Sequence, residues 1–304
     1  MYLHEDRELF KETIGAASDY LGVSQETVEK DYYMTMILKH LSQTGELPCV
    51  FKGGTSLSKC FHCIDRFSED IDITFTEHLG EARRKRLKYK ILKPIAERLG
   101  LVIRNWDMIE SDKDYNAYFF SYKPVSEYLN DAIRPEVKLE TALISYAFPT
   151  EIKSVSSLSY EYLFIDNGDI VQQYGLYPFD MRVQSLNRTF VDKIFALCDY
   201  YIEGKAKRYS RHLYDLYKLR GLVAMDEELM SLVSEVRKHR SRLPICPSAK
   251  PGIDVHRVIY EFCSKDFYKA DYETITDYFI SEAIPYEETI RNMQEIADKL
   301  FDPL

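Results

Sequence analysis

No stretch of the sequence is apolar for long enough to cross a bilayer, which takes about 20 residues. The opening MYLHEDRELFKE is charged from residue 4 and has no apolar core, so no secretory signal is expected and a cytoplasmic location is. Positive charge is lacking overall. The net charge of −9 over 304 residues argues against a whole surface built to hold nucleic acid. Cysteine is sparse and scattered, at 49, 60, 63, 198, 246 and 263. A disulfide framework suits a much shorter secreted chain, so thiols are expected. There is no G-x-x-x-x-G-K-[ST] loop, which excludes a P-loop NTPase. The histidines show no paired ligand spacing. The Cys60–Cys63 run CFHC has no second cysteine pair to complete a four-ligand zinc site. It falls inside an expected helix, where core packing explains it better than redox chemistry. Internal repeats and low-complexity tracts are absent.

What is present reads as a globular chain, 45% hydrophobic and 29% charged, long enough for one large domain or two ordinary ones. Tyrosine is abundant, at 24 residues, and suits core edges and stacking surfaces. Charge is unevenly spread. Residues 182–250 hold 14 Lys and Arg against 8 Asp and Glu, a basic segment between two acidic ones. An anionic substrate would be drawn there.

Hydrophobic periodicity predicts helices over 5–20 and 24–42. PCVFKGG reads as a short strand ending in a glycine turn, followed by a helix TSLSKCFHCI with Thr55 as N-cap. DIDITF alternates acid and apolar residues, as a strand does. Residues 79–99 form a basic amphipathic helix bent at Pro94. LVIRNWDM, YNAYFFSYK and PEVKLETALI read as strands, with a further strand pair near 152–165. From about residue 185 the texture becomes helical, through NRTFVDKIFALCDYYI, RHLYDLYKLRGLV, DEELMSLVSEVRKHR, DVHRVIYEFCSKDFY and YEETIRNMQEIADKLF. The expected architecture is α+β over residues 1–180, with a mixed or antiparallel sheet, and a helical bundle over 181–304.

Asp70 and Asp72 stand two apart on a strand and share a face, about 6.6 Å apart along the chain, while Ile71, Ile73 and Phe75 point into the core. Two like charges on one face are tolerated if solvated, or favoured if a divalent cation lies between them. Oxygen ligation suits Mg²⁺, which typically takes one or two carboxylates plus substrate phosphates. Two such ions can clamp the attacking and leaving oxygens of a phosphoryl displacement. A third acid is needed from a neighbouring strand. Glu140 is the natural candidate, on one face with Glu136 and Lys138. Gly53-Gly54 at a strand end lets backbone N–H groups approach a phosphate, and Thr55 and Ser56 add hydroxyls. The plainer reading is a tight turn beside a solvated strand edge.

FKGGTSLSK and RFSEDIDI together resemble the core motif of the AbiEii/AbiGii-type nucleotidyltransferase toxins, which include the MenT-like toxins and belong to the DNA polymerase β-like nucleotidyltransferase superfamily. The spacer from Gly54 to Asp70 is longer than that superfamily's usual one and matches this toxin branch. VEKDYYMTMILKHL resembles the family's N-terminal helix, NRTFVDKIFAL its lysine-bearing segment, and RYSRHLYDLYKL its R-x-x-R-D-x-Y-D-L helix, with His212 where the family often has aspartate.

The resemblance implies a nucleotidyltransferase fold. It implies that Ser68 contacts the nucleotide's phosphates, that Asp70, Asp72 and Glu140 hold Mg²⁺ or Mn²⁺, and that Lys193 neutralises the triphosphate of an NTP substrate. Asp215 maps to the final aspartate of its motif, and the bundle would contribute Lys193 and Asp215 to the cleft. Taken by themselves, Lys193 is a surface lysine and Asp215 a helical partner of Arg211. The implied acceptor is an RNA such as the tRNA 3′ end, and the implied partner a separately encoded antitoxin that need not bind the toxin. RRKRLKYK at 83–90 reads as a solvated helix face before an RNA contact. Tyr200, Tyr201, Tyr209 and Tyr214 read as core-edge residues before base-stacking ones. A protein or small-molecule acceptor, and a catalytically silent binding module, stay open beside the RNA reading.

Overall fold

The computed structural model describes every residue except 46, 67, 128–132, 144–145, 277–282 and 302–304. The chain forms two compact units, Met1–Phe61 with Ser68–Val183, and His62–Phe67 with Gln184–Leu304.

The first unit is built on a mixed sheet of seven strands: β1 (Val50–Lys52), β2 (Asp70–Thr74), β3 (Val102–Ile103), β4 (Tyr115–Ser121), β5 (Glu136–Ala142), β6 (Thr150–Val155) and β7 (Phe179–Gln184). Their spatial order is β3-β4-β5-β2-β1-β7-β6. β2 runs parallel to β5 and antiparallel to β1. Ile71, Ile73, Val137 and Leu139 alternate onto one face and are fully buried, which fixes the register, since a one-residue slip would bury the acids instead.

Helices α1 (Arg7–Leu21) and α2 (Gln25–Ser42) are capped by Asp6 and Ser24, whose side chains accept from the amides of Leu9 and Thr27. α2 is buried nearly all round, including Glu29, Lys30 and Asp31. Each of those charges is partnered. Glu29 accepts from the amides of Val125 and Ser126, Lys30 pairs with Glu69 at 2.5 Å, and Asp31 pairs with Lys59 at 2.5 Å.

Several local expectations need correction. The helix after the glycine turn, α3 (Gly53–Lys59), begins at Gly53 with Lys52 in the cap position, so Thr55 lies within it. It ends before Cys60, and the chain turns through His62 at φ 49°. CFHC therefore lies beyond the helix. None of the six cysteines forms a disulfide.

The basic run folds as α4 (Glu81–Arg86), a π-helical turn (Leu87–Leu92) and α5 (Lys93–Arg98). The distortion precedes Pro94, which cannot donate to the carbonyl four residues earlier. Arg84 and Lys88 in this run are buried, bonding the carbonyls of Leu79 and Ile109 respectively. The run is thus only partly a solvated face.

In LVIRNWDM only Val102–Ile103 is strand. Asn105 ends the pairing by bonding the carbonyl of Ala117 and the amide of Phe119 through its side chain. The strand pair expected near 152–165 is one strand, β6, followed by α6 (Leu158–Asp166) and α7 (Gly168–Tyr174). Ser157 caps α6, and buried Asp31 accepts from the amide of Leu158, satisfying two orphan donors of that first turn. The last residue of PEVKLETALI, Ile144, lies outside the described residues.

The second unit is helical as expected: α8 (Leu186–Ile202), α9 (Arg211–Leu219), α10 (Glu227–Arg240), α11 (Val255–Ser264) and α12 (Tyr286–Leu300). Ser185, Asp226 and Asp254 cap α8, α10 and α11. Phe190, Ile194, Phe195, Leu213, Leu216, Ile259, Phe262, Met293 and Ile296 are fully buried within it.

Candidate active site

Parallel pairing of β2 with β5 sets Asp70 beside Lys138 and Asp72 beside Glu140. β1 adds Lys52 opposite Asp72, and β4 adds Ala117 opposite Glu140. One rung across four strands therefore reads Lys52, Asp72, Glu140, Ala117. The third acid predicted from alternation is in register with Asp72. Glu136 is not; it pairs with Arg104 near the other end of β5.

The acids are only partly exposed, the Asp70 and Glu140 side chains by 29% and 20%. Burial pushes the Asp72 carboxyl up to about 7; Lys52 opposes this, while Glu140 and Asp70 reinforce it. For Glu140 burial acts in the same direction, but Lys138, the Tyr115 hydroxyl and Asp72 outweigh it and hold this carboxylate below its ordinary value. The two carboxyls titrate as a pair in which Glu140 gives up its proton the more readily. Lys138 pairs with Glu140 Oε1, and its Nζ lies 3.9 Å from Asp70 Oδ2.

Gly53 explains itself against this face. Its φ is +80°, and a Cβ there would sit 2.1 Å from Asp72 Oδ2. Both the backbone conformation and the closeness of the carboxylate demand glycine. Gly54 is the second residue of α3. The Thr55 hydroxyl lies 2.8 Å from Ser68 Oγ and 2.5 Å from the Asp70 carbonyl oxygen, and Ser56 Oγ donates to the Gly53 carbonyl at 2.9 Å. Thr55 and Ser56 are buried; Thr55 ties the turn to β2 and Ser56 closes it on itself, while Ser68 is half-buried.

The donor set is of the kind a hard divalent cation takes, the carboxylates of Asp70, Asp72 and Glu140 standing on two paired strands. As placed, however, no three His, Cys, Asp or Glu side chains among the described residues are arranged to hold a metal ion.

The second unit holds a different ionic cluster. Arg66 grips Asp215 bidentately, Nε to Oδ1 at 2.6 Å and Nη2 to Oδ2 at 2.7 Å. Lys193 Nζ donates to Asp215 Oδ2 at 2.6 Å and lies 3.3 Å from His212 Nδ1. Arg66, Lys193 and Asp215 are all buried. Burial drives Lys193 down despite Asp215, and drives His212 well down with the help of Lys193. His212 is therefore neutral and accepts from the lysine. For Asp215 burial would raise the carboxyl, but Arg66 and Lys193 overcome it and hold the group far below the carboxylate range.

Lys193 is thus no surface lysine. Asp215 pairs with Arg66 and Lys193 rather than with Arg211 one turn before it. Sequence reasoning passed over Arg66, Tyr115, Lys52 and the placement of Lys138. For Arg66 the available signal was its position just before S-E-D-I-D; for Tyr115 and Lys52 it was the strand register, which the sequence does not print.

Tyr200 stacks on Tyr209, their ring centroids 3.5 Å apart, Tyr201 packs against Phe262 and Phe267, and Tyr214 is fully buried. These tyrosines serve packing, as expected. The Cys60 and Cys63 thiols are pushed up by burial, to about 12 and about 11, which makes them poor nucleophiles.

Comparison with known proteins adds to this geometry. A search of curated proteins found no match. Among solved structures the chain is similar to MenT4, a nucleotidyltransferase toxin from Mycobacterium tuberculosis H37Rv, with a TM-score of 0.62 and 17% identity over 96% of this chain and 90% of that one. That likeness concerns the fold. The model of the AbiEii family, described as a nucleotidyl transferase AbiEii toxin of a type IV toxin–antitoxin system, matches residues 37–302. The chain accordingly belongs to the AbiEii family of nucleotidyltransferase toxins.

Proposed function

We propose that this nucleotidyltransferase transfers a nucleoside monophosphate from an NTP to a hydroxyl of an RNA, the tRNA 3′ end being the leading acceptor, and that the acid face of β2 and β5 carries the chemistry. The observation that supports this most is the rung placing Asp72 beside Glu140 and against Gly53. Asp70, Asp72 and Glu140 would hold Mg²⁺ or Mn²⁺, which would offset the charge developing on the phosphoryl oxygens. By family resemblance the backbone of Gly53-Gly54 and the Ser68 hydroxyl would bind the nucleotide's phosphates. Glu140, held as the charged carboxylate of the pair, would help to take the proton of the attacking hydroxyl. Lys193, oriented by Asp215 and His212, is assigned to the triphosphate by family resemblance, with Asp215 as its positioning partner. The basic segment 182–250 supports an RNA acceptor.

Family membership implies NTP as substrate and an antitoxin as the paired component. Among the described residues no helix is long and apolar enough to cross a membrane, and we place the activity in the cytoplasm. Incubating the protein with labelled NTPs and separate pools of tRNA, protein and small molecules tests the acceptor. Label on tRNA is expected. Label on protein or small molecules alone would overturn the RNA reading, and no label with any pool would favour a silent binding module.

A further inference from the structure

The strand that supplies Glu140 places a lysine among the acids. On β5 Lys138 and Glu140 stand beside the acids of β2, and parallel pairing puts Lys138 directly beside Asp70. Its ammonium pairs with Glu140 Oε1 and stands 3.9 Å from Asp70 Oδ2. A cation therefore already sits on the face where the donor set invites one, supplied by the chain itself. While the ammonium holds Glu140, no three acids are presented to a common point. The lysine is not locked there. Its side chain is 32% exposed, and a four-carbon stem lets a compact ammonium swing to solvent.

We propose that Lys138 is an internal counter-cation that occupies the acid face in the metal-free protein and is displaced when a divalent cation enters. The inference rests on the reading of that face as the cation site. Its physical content is a competition. Three carboxylates crowded together repel, and the lysine relieves that repulsion when no metal is present. An entering ion must break the Lys138–Glu140 pair, so apparent metal affinity is lowered by the fraction of molecules in which the lysine holds the site. Removing the ammonium should tighten metal binding and destabilise the metal-free protein at once. A lysine that merely fastened β5 to β2 would give the second effect without the first.

The test titrates full-length wild type, Lys138→Met, Lys138→Arg and Asp72→Asn with MnCl₂ in nucleotide-free buffer, reading free Mn²⁺ by its paramagnetic resonance signal. Lys138→Met is expected to bind about tenfold more tightly than wild type, Lys138→Arg about as weakly as wild type, and Asp72→Asn most weakly. Thermal melts in the same buffers should show Lys138→Met below wild type without Mn²⁺ and raised further than wild type by adding it. Lys138→Gln serves if Lys138→Met does not fold. Equal or weaker Mn²⁺ binding by both Lys138 variants, with Asp72→Asn weakened, would overturn the role of Lys138 and leave the acid face as the cation site. Unchanged binding by Asp72→Asn would instead remove the cation site from this face. Absence of binding by wild type and both Lys138 variants would overturn the competition as well.

Discussion

Two clusters of carboxylates and lysines, one in each unit, have been given opposite characters by their surroundings. On the acid face of β2 and β5 the groups are partly exposed, Asp72 is pushed up to about 7, and Lys138 is shared between Asp70 and Glu140. In the helical unit Asp215 is fully buried, held far below its ordinary range, and saturated by Arg66 and Lys193. An excess of negative charge on a partly exposed face is what the proposed cation site needs. A single carboxylate with two fixed cations makes a brace. Ion pairs of similar length thus do different work, and balance of charge together with solvent access decides which.

Breaking the first cluster should have the largest functional effect. Asp70→Ala and Asp72→Ala are each expected to lower nucleotidyl transfer by about a thousandfold or more and to abolish growth arrest on controlled expression, while circular dichroism stays native. Arrest by either variant would move the chemistry elsewhere.

Breaking the second cluster should show first in stability. Asp215→Ala leaves Arg66 and Lys193 buried without their carboxylate, at a cost of about 3–5 kcal/mol, read from urea unfolding. A change under ~1 kcal/mol would mean that the cluster is looser than its distances indicate.

The comparison also predicts opposite pH dependences. A raised carboxyl such as Asp72 binds protons in the folded state that the unfolded chain has released. Its stabilising share is complete below the ordinary carboxylate pKa and is lost as pH rises toward about 7. Asp70, Glu140, Lys52, Lys138 and Tyr115 surround it and shape the same window. Asp215 behaves the other way, stabilising above the ordinary carboxylate value and losing that share as pH falls into strong acid. In metal-free buffer Asp72→Asn should therefore flatten the fall of stability between about pH 4 and 7, by about 1–2 kcal/mol. Unfolding curves at several pH values check this, and an unchanged slope would contradict it.

Smaller effects sharpen the picture. Gly53→Ala forces a side chain to positive φ against Asp72, costing about 1–2 kcal/mol, with transfer activity falling more than stability. His212→Ala removes one acceptor from Lys193, at about 1 kcal/mol.

Much of the acid face was legible because strand alternation is a short-range rule. DIDITF gave the shared face of Asp70 and Asp72, and EVKLE narrowed the third acid to a pair. Choosing Glu140 over Glu136 needed the register between strands nearly seventy residues apart, which no local pattern carries. The partner of Asp215 was hidden for the same reason: Arg66 is 149 residues away, whereas Arg211 is one turn away and so looked the natural choice. The second strand of the pair expected near 152–165 is a helix, because Ser157 and the distant Asp31 cap its first turn. Local capping could have been read; Asp31 could not.

The most direct test of the central claim measures transfer from α-labelled NTP to RNA by wild type and by folded Asp72→Asn, each with Mg²⁺ and with a chelator. Label transfer by wild type with Mg²⁺, and by none of the other three combinations, is the predicted result. Equal transfer by Asp72→Asn, or transfer by wild type that ignores the chelator, would contradict a divalent-cation site built on the acids of β2 and β5.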